Sequence, residues 1–186
     1  MLVQLLLVLL LLFIVIGLLL PQSYNVTKSI NINANTHIVK PLITDFSQWH
    51  KWSPWKKLDP SVEFSLGEPS TGVGAHQSWQ SKWGAGEMTT TALSANKMVL
   101  NILFAQEHII AANVIFTQNA KTVTVTFQIT GQATLPLVSG YVAVLSEHIL
   151  SNAVSLGLNN LKTVAQLSDA QTIMESHGSQ NRTSKN

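Results

Sequence analysis

Histidine beside carboxylate is the pairing through which this chain could move a proton, and His76, Glu87, Glu107 and His108 are the residues that supply it. A general acid–base pair must reach the reacting proton within hydrogen-bond distance. Glu107 and His108 fall in a predicted turn at the solvent edge, and His76 sits on a predicted strand, on the face opposite Trp79. The turn location argues against a catalytic role, so no catalytic residue is assigned, and His76, Glu87 and His108 stand only as candidates. The six histidines, His37, His50, His76, His108, His148 and His177, show no H-x-x-x-H or H-E-x-x-H spacing, so no metal site is expected and no cofactor is implied. The absence of cysteine excludes disulfides and thiolate nucleophiles. Gly72-Val73-Gly74 lacks the third glycine and the strand-to-helix context of a phosphate cradle, and there is no G-x-S-x-G elbow.

Apolar recognition has more candidates. Trp79 shares strand parity with Ala75 and Gln77, and Met88 with Gly86, Thr90 and Ala92. If those sides face inward, Trp79 and Met88 line an interior wall of the bulky, adaptable kind that apolar ligands use. Leu145 and Ile149 belong to the apolar arc of a long last helix and complete the expected lining with Trp52 and Trp55. The competing reading is ordinary core filling. Trp49, Trp52 and Trp55 also recur every three residues beside Lys51, Lys56 and Lys57. Such a patch suits lipid headgroups, although the same tryptophans around Ser53-Pro54 suit a turn that closes the core.

The elements that must position these residues follow from periodicity. Alternation of Val26, Ile30 and Ile32 against Asn25, Ser29 and Asn31 predicts a strand over 24–32. Asn35 caps a short helix through Thr44, in which Pro41 is a potential kink. A meander is predicted over 62–66, 75–80, 86–93, 98–104, 109–117 and 122–129, with turn chemistry between the strands. The last of these alternates Val123, Val125, Phe127 and Ile129 with Thr122, Thr124, Thr126 and Gln128, as an antiparallel sheet covered on one face requires. The cover is the helix predicted over 136–167, whose apolar arc fills half its circumference and suits a curved sheet.

Residues 2–20 form an apolar run softened only by Gln4 and Gly17, and at ~1.5 Å per residue they reach roughly 28 Å, close to the hydrocarbon thickness of a bilayer. No basic residue precedes the run and no A-x-A pattern follows it, which favours an uncleaved single-pass anchor over a signal peptide. Lys28 and Lys40 beyond it lean the domain toward the cytoplasmic side. The expected organisation is an anchor at 1–21, one domain at 22–167 and a disordered polar tail at 168–186. A net charge of +2, from 11 basic and 9 acidic residues, is too small for a nucleic-acid footprint.

Three stretches, taken in order, carry a resemblance: Ser29-Ile30-Asn31-Ile32-Asn33-Ala34, Trp49-His50-Lys51-Trp52-Ser53-Pro54-Trp55, and Gly72-Val73-Gly74-Ala75 with Trp79 following. Asn159-Asn160-Leu161-Lys162 fits as well. The chain resembles the START-like (SRPBCC) superfamily, in its polyketide cyclase/dehydrase and lipid-transport branch, over most of its soluble part. The resemblance implies an α+β helix-grip fold, a curved antiparallel sheet of six to seven strands wrapped around a long C-terminal helix. It further implies a lipid or other hydrophobic small molecule held between sheet and helix, and with the apolar run at 2–20 the expected protein is a membrane-anchored module of that kind. The alternatives are a cyclase or dehydratase, with a histidine and a carboxylate serving ring closure, and a cavity-free interaction module for a membrane protein.

Overall fold

The structure is a computed structural model that describes residues 1–104, 108–120 and 122–183, with the side chains of 108, 109 and 176–183 outside the description. Helix α1 (Leu2–Leu19) precedes strand β1 (Ser23–Ile32), helix α2 (Thr36–Thr44), a 3₁₀ turn (Phe46–Lys51) and the single-turn helix α3 (Trp55–Leu58). Strands β2 (Glu63–Leu66), β3 (His76–Ser81), β4 (Gly84–Leu93), β5 (Lys97–Phe104), β6 (His108–Asn119) and β7 (Thr122–Gln132) follow, and helix α4 (Ser139–Thr183) is the last described element. The strands form one antiparallel sheet in the order β1-β7-β6-β5-β4-β3-β2.

Alternation decides which side of this sheet is covered. On β7, Val123, Val125, Phe127 and Ile129 are buried, and the β6 partners of the last three, Phe116, Val114 and Ala112, are buried with them. The same side continues through Leu100 and Met98 of β5 and Met88 of β4. Against it lies α4, through Ala153, Leu158, Leu161 and Ala165, together with Val39, Leu42 and Ile43 of α2. The α+β helix-grip architecture expected from the sequence is the one observed. Asn35 caps α2 as expected, accepting from the His37 N–H at 3.3 Å, and Pro41 lies inside the helix without splitting it.

Two local expectations are corrected. A register shift between Thr90 and Ala92 turns Ala92 to the exposed side, because a bulge inserts one residue and reverses the parity beyond it. Helix α4 does not end at Leu167 but continues to Thr183. No proline interrupts 168–183, and Ser168 and Thr172 return their hydroxyls to the carbonyls of Val164 and Ser168. Once the packed part of a helix is nucleated, polar residues of ordinary propensity extend it at little cost.

Tryptophans lock the helices to the sheet. The indole N–H of Trp49 donates to the Ile43 carbonyl at 2.8 Å and that of Trp52 to the Leu42 carbonyl at 2.7 Å. The two rings lie 4.9 Å apart, and Trp52 meets Phe127 of β7 edge-on at 6.3 Å. From α4, Asn160 donates to the Trp52 carbonyl at 3.1 Å. Asp45 caps the turn that carries both rings, accepting from the Ser47 N–H at 2.9 Å. Burial pushes its carboxyl up, but hydrogen bonds from Ser47, Ser70 and Gln48 outweigh that and hold it below the ordinary aspartate value.

Helix α1 is joined to the domain by a seam with α4. Gly17 is its one buried residue: a Cβ there would meet the Leu137 carbonyl at 2.6 Å and the Tyr141 ring at 2.7 Å. Opposite it, a Cβ on Gly140 would collide with the Gly17 carbonyl and Leu20. Small residues of this kind let helix backbones approach closely. The Tyr141 ring stacks on Phe13 at 4.5 Å, and its hydroxyl donates to the Phe13 carbonyl at 2.8 Å.

Trp52→Ala should lower unfolding free energy by about 3–5 kcal/mol, whereas half-buried Trp55→Ala should cost roughly 1 kcal/mol. Urea titration separates the two. Because the Asp45 carboxyl is held below its ordinary value, its stabilisation is complete above the unfolded pKa and is lost as pH falls through the lower folded one. Asp45→Asn should accordingly flatten the decline in urea midpoint between about pH 5 and about pH 3.

Candidate functional site

The concave side of β3 and β4 holds the residues that could meet a ligand. Trp79 pairs directly with Gly86, and its indole lies across that glycine, occupying the position a Cβ would take. Next along the same face, Gln77 pairs with Met88, and Thr90 lies diagonally from Gln77 on the following inward position. Gln77, Met88 and Thr90 are all buried. The Gln77 Oε1 and Thr90 Oγ1 atoms are out of contact with solvent and have no hydrogen-bond partner. Burying such a group unpaired costs about 1–3 kcal/mol, so two on adjacent strands facing one interior is an arrangement that needs a reason. The sequence offered a signal for both, polar residues at inward positions of alternating strands, but named them only as companions of Trp79 and Met88.

Trp79 and Met88 do share one face, as expected. Trp52 lies deep in the core, its indole N–H and ring edges engaged by α2 and β7, and therefore acts as a structural wedge. Trp55 opens α3 and is half-buried. Leu145 and Ile149 depart from expectation: they are 59% and 48% exposed. In that part of α4 the residues that turn inward include Ala143, Leu150, Ala153 and Val154, so Leu145 and Ile149 face outward and do not line the interior. The apolar arc of α4 is wider than the part the sheet can cover.

The two proton-transfer candidates among the described side chains, His76 and Glu87, are not brought to this face. His76 and Glu87 are both exposed, on strand positions of opposite parity to Gln77 and Met88, and hence on the convex side. His76 lies over Gly67, with Nδ1 3.4 Å from the Gly74 carbonyl. Glu107 and the side chain of His108 lie outside the described residues. Among the described residues, the sheet's concave side carries no carboxylate or imidazole. Its one phenol, Tyr24, is buried across Gly131, and burial raises its pKa.

Two clefts open elsewhere on the domain. One of about 480 Å³ is lined by His50, Ser53, Lys56, Val62, Glu63 and Phe64, and one of about 330 Å³ by Thr36, Asn96, Phe116, Gln118 and Val123, among others. Neither is lined by Gln77, Trp79, Met88 or Thr90. Met88, Met98 and Leu100 instead belong to one continuous apolar cluster with Phe127, Leu158 and Leu161.

No family model matches this chain, and no curated protein matches it. Solved structures do. A protein of Thermus thermophilus, TTHA0849, aligns at a TM-score of 0.59 and 14% identity over 77% of this chain and 98% of its own. The di-domain ARO/CYC StfQ of the steffimycin biosynthetic pathway aligns at a TM-score of 0.60 and 11% identity over 79% of this chain and 52% of its own. Protein CV1439 of Chromobacterium violaceum aligns at 0.55 and 12% identity, over 76% and 96%. At these identities the likeness is one of fold.

Replacing an unpartnered buried polar atom with an isosteric apolar group removes its desolvation cost. Thr90→Val should therefore raise the unfolding free energy of ligand-free protein by about 1 kcal/mol, a change that calorimetry or urea titration would detect.

Proposed function

We propose that this chain is a membrane-anchored module that holds a lipid or another hydrophobic small molecule against the concave side of its sheet. The observation that carries the reading is the pair of buried, unpartnered atoms, Gln77 Oε1 and Thr90 Oγ1, beside Met88 and Trp79. A mostly apolar wall with a few convergent polar groups is what recognises an apolar molecule with a polar end. The interior there is filled by side chains, among them Met88 and Met98, whose flexible thioethers can swing aside to admit a guest.

Anchoring rests on the seam between α1 and α4. Gly17 fits against Gly140, Leu137 and Tyr141, and the remaining surface of α1 is exposed and almost wholly apolar. A segment destined for removal has no need of such a fitted contact. Lys28 and Lys40, just past the anchor, favour the cytoplasmic side.

A second reading, ring closure or aromatisation, is favoured by the structural likeness to StfQ and to BexL, another di-domain ARO/CYC. Placement of His76 and Glu87 on the convex side weighs against it. Native mass spectrometry of the full-length protein, extracted from membranes and followed by small-molecule identification, tests the binding reading. A co-purifying hydrophobic molecule is expected, with Thr90→Val lowering its retention about fivefold through loss of one hydrogen bond. Protein recovered empty from several hosts would overturn the proposal and favour a packed interaction module.

A further inference from the structure

The two ends of the sheet differ in chemistry. Strand β1 starts at Ser23, directly after α1, and pairs there with Gln132 at the end of β7. The pairs Ile110 with Gly131, Phe104 with His108, Gly86 with Phe104, and Ser81 with Gly84 carry the same end across β6, β5, β4 and β3. The β3–β4 tip, Lys82-Trp83, is therefore on the end that receives α1. Trp83 is 74% exposed, and the Lys82 ammonium lies 5.2 Å from its ring centre. The connection from β7 to α4 joins this end and exposes Leu135 and Leu137, and the first turns of α4 add Val144, Leu145 and Ile149. Leu137 holds φ at 67° while its side chain stays 52% exposed, an arrangement water does not favour. The opposite end presents Ser94, Asn96, Lys97 and Asn119.

The seam also sets depth. The 18 residues of α1 rise about 27 Å, so crossing a hydrocarbon core of about 30 Å takes the whole helix. Tyr141 is bonded to and stacked on Phe13, which lies about 9 Å along the helix from Leu19. With α1 inserted, the start of α4 is drawn into the zone, roughly 5–10 Å deep, where interfacial helices lie. Only residues 20–22 separate α1 from β1, and the Ala133 N–H donates to the Gln22 carbonyl at 2.9 Å, so the domain cannot swing clear.

We propose that the domain rests on the lipid bilayer that α1 crosses, with the Lys82-Trp83 tip and residues 135–149 seated in the headgroup boundary. Exposed tryptophan and lysine suit that boundary because their apolar bodies sit among acyl chains while their polar tips remain hydrated. The inference rests on α1 being a retained anchor and adds a fixed orientation to it.

The chain has no cysteine, so single labels are clean. Leu10→Cys, Trp83→Cys, Leu145→Cys and Asn96→Cys, each carrying an environment-sensitive fluorophore, would be placed in full-length protein in phosphatidylcholine vesicles. Quenching by nitroxide-labelled lipid would then be read. Labels at 83 and 145 should be quenched at least about twofold more than the label at 96, and the label at 10 the most. A label at 83 or 145 that matches 96, with 10 still quenched, overturns this proposal and leaves the anchor standing. A label at 10 that matches 96 overturns the anchor and this proposal together.

Discussion

Covering a wide sheet with a narrow helix is the constraint on which this structure turns. Seven strands about 4.8 Å apart span roughly 29 Å, whereas a helix with its side chains is only about 10–12 Å across. One helix leaves most of a flat apolar face wet. The chain meets this by curving the sheet and by adding α2 and the Phe46–Trp49–Trp52 cluster beside α4. Trp52 is the keystone because it ties three elements together: its N–H reaches α2, its ring reaches Phe127 of β7, and its carbonyl accepts from Asn160 of α4. Both indole N–H groups are paired within the core, so burying two large amphipathic rings leaves no polar atom stranded.

How legible this was depended on the range of the interaction. Strand positions were readable because alternation is local: the inward Val123, Val125, Phe127 and Ile129 announce β7 by themselves. The cap at Asn35 was readable for the same reason. Parity failed where a bulge intervened, since nothing in Thr90-Thr91-Ala92 signals the extra residue. Leu145 and Ile149 misled because an apolar arc states that a surface wants cover without stating what covers it. The orphan atoms of Gln77 and Thr90 become meaningful only when their surroundings are known. The seam between Gly17 and Gly140 joins residues more than a hundred positions apart, and no local pattern marks it.

The interior combines dense packing with incomplete polar satisfaction, and those facts pull in opposite directions. A core kept only for stability would gain by losing Gln77 and Thr90, since apolar groups of similar shape remove the desolvation cost. Departures from self-consistency of this kind concentrate at functional positions. Their setting beside Met88 is coherent with that: methionine fills irregular space yet reshapes at low cost, so an occupied and an unoccupied interior can differ by rotamers alone.

The short connector changes what an anchor accomplishes. A long flexible tether raises the local concentration of cargo but leaves orientation free. Residues 20–22 span at most about 11 Å even when extended, and the Gln22 carbonyl is held by β7's continuation at Ala133. In the proposed arrangement the sheet end carrying Trp83 and the exposed leucines faces the lipid when α1 is inserted. The outward apolar stripe of α4 thereby acquires a physical reason within the proposed arrangement. It is left bare by the sheet because the bilayer, rather than another element of the protein, covers it, and a molecule leaving the acyl region would meet the domain without first crossing water.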